Sequence, residues 1–322
     1  MSSFRGLTLA RRQKILDRQD PPGWGEEYVP SILATREEAP SISRAVQLWA
    51  KQLGRSCHLL SKVEVRAATL ALYHPALFEL HEQRMLSSEP RPHPLANHPR
   101  YAGLNLSPLR GTLDVAQRLG VLSVIPLVRF TEDNERHLAP FPLVGDLLLF
   151  LVDSQGPYCV NWPLKDTRKA FRRPGPKPRA KPRPDVDDPN AIARNELEIA
   201  YYQDAGIRTE QLSREDINPA VAHNLYDLFL AHRKAIDISD DARREATEDF
   251  VDVVGTSTPA YRVLQHVERK LALSKEDAIA LLKQAIWRRD VRVDLFKPVL
   301  MDRPLAGEMV DVLDTYAAWF AR

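Results

Sequence analysis

Residues 145–162 read GDLLLFLVDSQGPYCVNW, and this stretch limits the chain more than any other. Leu147 to Val152 is apolar without a break. Such a run has no side to offer water, so it reads as a buried strand, here over 143–152. Ser154-Gln155-Gly156-Pro157 supplies turn residues, and a second strand, 158–162, returns and ends among polar and basic residues. The first strand opens on an acid. Asp146 lies between Gly145 and the apolar run, where an unpaired buried carboxylate would cost several kcal/mol. It therefore needs a metal or a hydrogen-bond donor.

With 322 residues the chain has room for two domains. Its net charge is only +2, so any nucleic-acid surface must be local. Cys57 and Cys159 have no paired spacing and cannot make a zinc site alone. The charged start, MSSFRGLTLARRQKILDRQD, does not resemble a secretory signal, and no apolar run approaches the ~20 residues of a membrane span. A cytoplasmic protein without a membrane partner is expected.

Residues 1–56 read as an irregular or helical extension with an amphipathic start. A helix follows over Leu59–Ala71, with Ser61 and Glu64 at capping-box spacing, and His74-Pro75 ends it. Leu77–Leu80 and Val121–Phe130 read as strands, with a proline-rich loop at 87–115. The segment 168–189 has the composition of a basic, polyproline-like insert. Helices are expected at 191–205, stopped by Gly206, and at 218–235. From residue 259 come a helix to 271, a helix capped by Ser274, β-branched Val291–Leu295, and an amphipathic helix Met309–Phe320. That order suits a winged-helix-like unit over 259–322.

Cutting a phosphodiester with a hard divalent ion needs oxygen ligands on a helix and at a strand end, with a cation nearby. Glu64, Asp146, Asn161 and Lys165 are the candidates. Each also has a plain structural explanation. Glu64 can be the partner of Ser61 in a capping box. Glu198 can sit on the solvated face of its helix. Trp162 reads as packing, and His58 and His81 as satisfied polar residues.

The stretch GRSCHLLSKVEVRAATLALYHPALFELHEQ resembles the TnsA family, the endonuclease subunit of TnsABC-type heteromeric transposases. YVPSI, GDLLLFLVD, LEIAYYQDAGI and EDINPAV continue the likeness in order over roughly residues 10–235. The resemblance implies an α/β chain: a restriction-endonuclease-like catalytic domain with a mixed sheet (57–235), then the mostly helical winged-helix-like domain. It implies Mg²⁺-dependent cleavage at transposon 5′ ends, with Mn²⁺ as a substitute. The partners it implies are transposon-end DNA, a TnsB-like DDE transposase cutting the 3′ ends, and a TnsC-like AAA+ regulator. Glu64 matches the helical acid, Asp146 the strand acid and Glu198 a further metal-site acid. Asn161 stands for a glutamine. Where the family has Gln-x-Lys, this chain has Asn161-Trp162-Pro163, so the lysine position is taken by proline. Lys165, two residues on, can return to the same face if the strand bulges.

Between Lys165 and Arg183 the basic residues Arg168, Lys169, Arg172, Arg173, Lys177, Arg179, Lys181 and Arg183 stand against one acid, Asp166. That bias suits phosphate contacts. A subunit whose nuclease has decayed, and which bridges transposase, regulator and DNA, is the alternative, favoured by Pro163. A plain winged-helix regulator would leave the acids unexplained.

Overall fold

The computed structural model describes residues 7–41, 43–101, 103–173 and 186–322. The chain is mixed α/β, about 40% helix, and divides into two compact units. The first comprises 1–65, 76–216 and the last two residues; the second comprises 66–75 and 217–320.

In the first unit, α1 (Leu9–Gln19) is capped by Thr8, whose Oγ1 accepts from the Arg11 amide at 3.2 Å. Strands β1 (Val46–Ala50) and β2 (Arg55–Leu59) form a hairpin. Its turn needs Gly54, which has φ +67°. The helix α2 (Lys62–Tyr73) begins at the expected cap and ends before His74-Pro75; its first turn, to Val65, belongs to this unit and the rest to the second. Then come β3 (Leu77–Glu82), β4 (Met85–Leu86), α3 (Thr112–Arg118), β5 (Leu127–Glu132), β6 (Glu135–Pro140), β7 (Leu143–Val144), β8 (Leu147–Asp153), β9 (Gly156–Trp162) and β10 (Leu164–Lys165). After the basic segment follow α4 (Pro189–Gln203), β11 (Arg208–Thr209) and β12 (Leu212–Ser213).

The central sheet runs β11-β9-β8-β3. β8 is antiparallel to both β3 and β9, and β11 is parallel to β9, so the sheet is mixed. Leu147 to Leu151 are at most 1% exposed. Each such burial contributes about 2 kcal/mol, which makes β8 the axis of the unit. One core gathers Leu148, Phe150 and Cys159 from the sheet with Leu197, Tyr201 and Tyr202 of α4 and Val115 and Ala116 of α3.

Several expectations are corrected. Residues before 57 include the helix α1, but they are part of the first unit and not an extension to it: β1 pairs with β2, and Ile15, Tyr28 and Ile32 are buried. The Tyr28 hydroxyl donates to the Glu82 carbonyl at 2.7 Å. The single strand expected over 121–130 is a 3-10 turn, Leu122–Val124, followed by β5, because Pro126 cannot donate to a ladder. The strand expected over 143–152 breaks at Gly145-Asp146, where pairing passes from β4 to β3. The Gly145 amide donates to the Arg84 carbonyl (2.8 Å) and the Gln83 amide to the Asp146 carbonyl (2.9 Å).

The second unit holds α5 (Pro219–His232), α6 (Asp240–Val253), α7 (Ala260–Leu271), α8 (Lys275–Trp287), α9 (Val312–Thr315) and α10 (Ala317–Phe320). α8 packs on α5, α6 and α7 through Ala278, Leu281, Leu282 and Ala285, all fully buried. The helix expected at 218–235 belongs here and not to the first unit, since the division falls after Asp216. α6 has no counterpart among the expected elements. The expected wing is not a two-stranded sheet: Val291–Leu295 makes one isolated bridge, Val293 to Gly307. Asn224 explains this, because its side chain binds the Leu295 and Lys297 carbonyls and the Val299 amide and holds that segment on α5. The final helix starts at Val312, not Met309, because Asp311 caps it by accepting from the Leu313 amide at 2.8 Å. Met309 is 80% exposed. Among the described residues no helix is long and apolar enough to cross a membrane.

Candidate active site

Glu64 is set by the cap of α2. Its amide donates to Ser61 Oγ at 3.2 Å, and Ser61 Oγ donates back to Glu64 Oε1 at 2.8 Å. The capping role is therefore real, but it does not account for the other carboxylate oxygen. Oε2 accepts from the Leu60 amide (2.8 Å) and from Gln83 Nε2 (3.0 Å). The carboxyl is 6% exposed, and burial followed by the nearby Asp146 charge pushes its pKa up to about 7.

Asp146 sits at the break between β7 and β8. Its Oδ2 accepts from the Leu164 amide at 2.7 Å. Lys165 Nζ lies 3.5 Å from the same oxygen and donates to the Leu164 carbonyl at 2.9 Å. The Lys165 ammonium also lies 5.4 Å from the centre of the Phe171 ring. Lys165 thus reaches Asp146 from beyond Pro163. The chain leaves β9 at Trp162 and enters β10, which pairs in parallel with β12 instead of extending β9. Leaving the β9 ladder at Pro163 is what a residue without an N–H requires.

Glu198 is partly buried on α4, one turn before Tyr201 and Tyr202. Burial, then Asp146, raises its pKa to about 7. Asn161 Nδ2 donates to its Oε1 at 3.1 Å and lies 3.4 Å from Thr209 Oγ1 on β11. Gly145 makes the close approach possible: a Cβ there would lie 3.3 Å from Glu198 Oε1 and 3.2 Å from Leu86 Cδ1. Lys165 works against Asp146 at both acids, lowering the pKa of Glu64 and of Glu198.

Five expected residues, Glu64, Asp146, Asn161, Lys165 and Glu198, are therefore brought into one cluster. Sequence reasoning misses Gln83, the Leu164 amide, Gly145 and Thr209. Gln83 carries a signal, since it ends the strand stretch ELHEQ as a polar residue; a backbone donor carries none.

The basic group is divided. Arg168 and Lys169 lie in a 3-10 turn, Arg168–Phe171. Arg168 pairs with Asp216 at 2.9 Å, while Arg172 and Arg173 both pair with Asp187. Part of the charge bias is therefore neutralised by acids that lie beyond the basic run in sequence. Lys177, Arg179, Lys181 and Arg183 lie outside the described residues.

Glu64 and Glu198, both raised toward neutral pH by burial and then by Asp146, either keep their protons or recruit a cation. Among the described residues no three His, Cys, Asp or Glu side chains already converge to grip one metal ion. Mg²⁺ does not need three, because it commonly takes one or two carboxylates and keeps its waters. Asn161 Oδ1 is buried and accepts no hydrogen bond, the state expected of an oxygen available to a hard cation. The donor set, oxygen throughout, fits Mg²⁺ or Mn²⁺.

A scan of protein-family models returns no match for this chain, and a search of curated proteins returns none either.

Proposed function

We propose that the first unit is the restriction-endonuclease-like catalytic domain of a DNA endonuclease that serves a heteromeric transposase and cuts the 5′ strands at transposon ends. One observation carries this reading. Glu64 and Glu198 come from different helices, and burial first, then the same third acid, Asp146, raises both to a pKa of about 7, with Lys165 Nζ 3.5 Å from Asp146 Oδ2. Acids forced together at such a cost are more common at functional sites than in ordinary cores.

Asp146 and Glu64, with Asn161 Oδ1 and Glu198, are the residues that would hold Mg²⁺. Bound there, the ion would supply neutralisation of phosphate charge and a more acidic water. The chain's own groups do the rest. The Leu164 amide fixes Asp146, and three donors fix Glu64. Lys165 offers a positive charge for the oxygens of the phosphate under attack. Glu198, with a pKa of about 7, can take up a proton at its carboxylate near neutral pH. The TnsB-like DDE transposase, the TnsC-like AAA+ regulator and a cytoplasmic location complete the proposal.

Asp146→Ala tests it. The variant should lose 5′-strand cleavage at transposon ends while 3′ cleavage by the partner transposase persists. Double-strand excision that survives the change would sink the nuclease assignment. Pro163 in the lysine position favours a second reading, a decayed assembly subunit. That reading wins if the unmodified protein never cuts, even with its transposase and Mn²⁺.

A further inference from the structure

Gln83 is the non-glycine residue at which β3 turns toward β4, and its backbone is left-handed, with φ +50°. It is 4% exposed. A buried turn with positive φ normally selects glycine, or asparagine. A long side chain there needs a reason, and its bonds supply one. Its amide nitrogen donates to Glu64 Oε2 at 3.0 Å, and its peptide N–H donates to the Asp146 carbonyl at 2.9 Å. Its own carbonyl accepts from the Ser31 amide at 3.1 Å.

The neighbours on either side face other tasks. The Glu82 carboxylate takes Arg55 Nη1 at 2.9 and 3.0 Å and the His58 amide at 2.8 Å. The Arg84 guanidinium meets His81 Nδ1 at 2.5 Å. Of these three consecutive side chains, only that of Gln83 reaches an acid of the cluster. The Glu82–Arg55 pair anchors the chain on one side and the Ser31 amide anchors it on the other, so Gln83 is held firmly between two acids that repel each other.

We propose that Gln83 is a positioning residue of the acid cluster: its side chain holds the Glu64 carboxylate and its backbone holds the Asp146 peptide, so that both acids keep their places before a cation or DNA arrives. The consequence for cation binding rests on the nuclease reading above; the holding of Glu64 does not.

Two substitutions separate this role from that of a turn residue. Gln83→Gly suits the left-handed backbone and removes the side chain. Gln83→Asn also tolerates that backbone and keeps an amide, but one methylene too short to reach Glu64. If either fails to fold, the other remains as the test. If Gln83 serves only the turn, both variants should match the parent in every measurement. If it positions Glu64, the melting midpoint is kept while Mn²⁺ affinity falls about 10- to 100-fold, as for other groups that orient a metal ligand. The affinity is read on the full chain without DNA, from the electron paramagnetic resonance signal of free Mn²⁺. In metal-free crystals of the same variants, the Glu64 carboxylate should occupy more than one rotamer. A folded variant with unchanged Mn²⁺ affinity overturns the proposal, and so does Glu64 unmoved in the crystals. Should the unmodified protein take up no Mn²⁺, the nuclease reading falls, and the metal-free crystals still decide the role of Gln83.

Discussion

Replacing Glu64 by glutamine changes one charge and little shape, so it isolates what that carboxylate costs the fold. The acid is pushed from its ordinary 4.5 to about 7 by burial and then by Asp146. A rise of that size corresponds to about 3 kcal/mol between the protonated and ionised forms. The folded state holds the proton more tightly than the unfolded chain. Its stabilising contribution is therefore complete below pH 4.5 and is lost as the pH climbs to 7. The Glu64→Gln variant has no proton to lose at this position and keeps its stability across that window. In EDTA the variant should gain on the parent as the pH rises, and above pH 7 it should lead by about 2–3 kcal/mol relative to the difference at pH 4.5. The assay is the urea dependence of amide exchange on β8 and β9, which reads the first unit by itself. Titrating groups outside the acid cluster cancel in the difference between the two proteins. Millimolar Mg²⁺ should restore the parent at high pH and leave the variant unchanged, because ligand binding stabilises only the form that binds. Parallel stability curves for the two proteins would refute the reasoning, since Glu64 would then titrate in the folded state as it does in the unfolded chain.

Three further changes test the remaining interactions. Lys165→Ala should slow cleavage by about 10²-fold or more with little loss of DNA affinity, whereas Lys169→Ala should weaken affinity and leave the rate at saturating DNA unchanged; identical behaviour would place Lys165 among the DNA-contacting residues. Gly145→Ala puts a methyl 3.3 Å from Glu198 Oε1 and 3.2 Å from Leu86 Cδ1, so it should cost about 1–2 kcal/mol of stability and lower Mn²⁺ affinity, and an unchanged Mn²⁺ titration would show that Glu198 has room to retreat. Replacing the Arg and Lys residues of 168–184 by Ser should flatten the dependence of DNA affinity on salt, by about 0.9 in log–log slope for each phosphate no longer neutralised; Arg172 and Arg173, already shared with Asp187, should contribute least, and an unchanged slope would make the segment a linker.

Much of this molecule is legible from local chemistry. The apolar run at 147–152 can only be buried, and β8 is buried along its first five residues. Ser61 and Glu64 have the spacing of a capping box, and that box forms because its atoms lie within one turn of α2. Ser274 caps α8 for the same reason. Asp146 is costly without a partner, and it has a donor in the Leu164 amide and an ion-pair partner in Lys165, 3.5 Å away. These features depend on residues a few positions apart, or on a burial that composition alone demands.

What the sequence cannot reach depends on chain segments far apart meeting in space. Pro163 reads as the loss of a lysine, yet it marks where the chain leaves β9 for β10, and that exit brings Lys165 to Asp146. Gln83 reads as the end of a strand, because nothing in ELHEQ specifies a left-handed residue between two acids. The first fifty residues read as irregular, since partners such as Glu82 and Gln83 are supplied by a later strand and its turn. A wing is expected from β-branched residues, but Asn224, about 70 positions earlier, takes the hydrogen bonds a hairpin would have used. The free charge of the basic segment is smaller than its composition suggests, because Asp187 and Asp216 lie beyond the basic run and fold back onto it. Local patterns determine which elements can form. Long-range hydrogen bonds and the repulsion of Glu64 and of Glu198 by Asp146 exist only once β8, β9, α4 and the first turn of α2 have packed, and so the geometry of the site is decided by the tertiary structure alone.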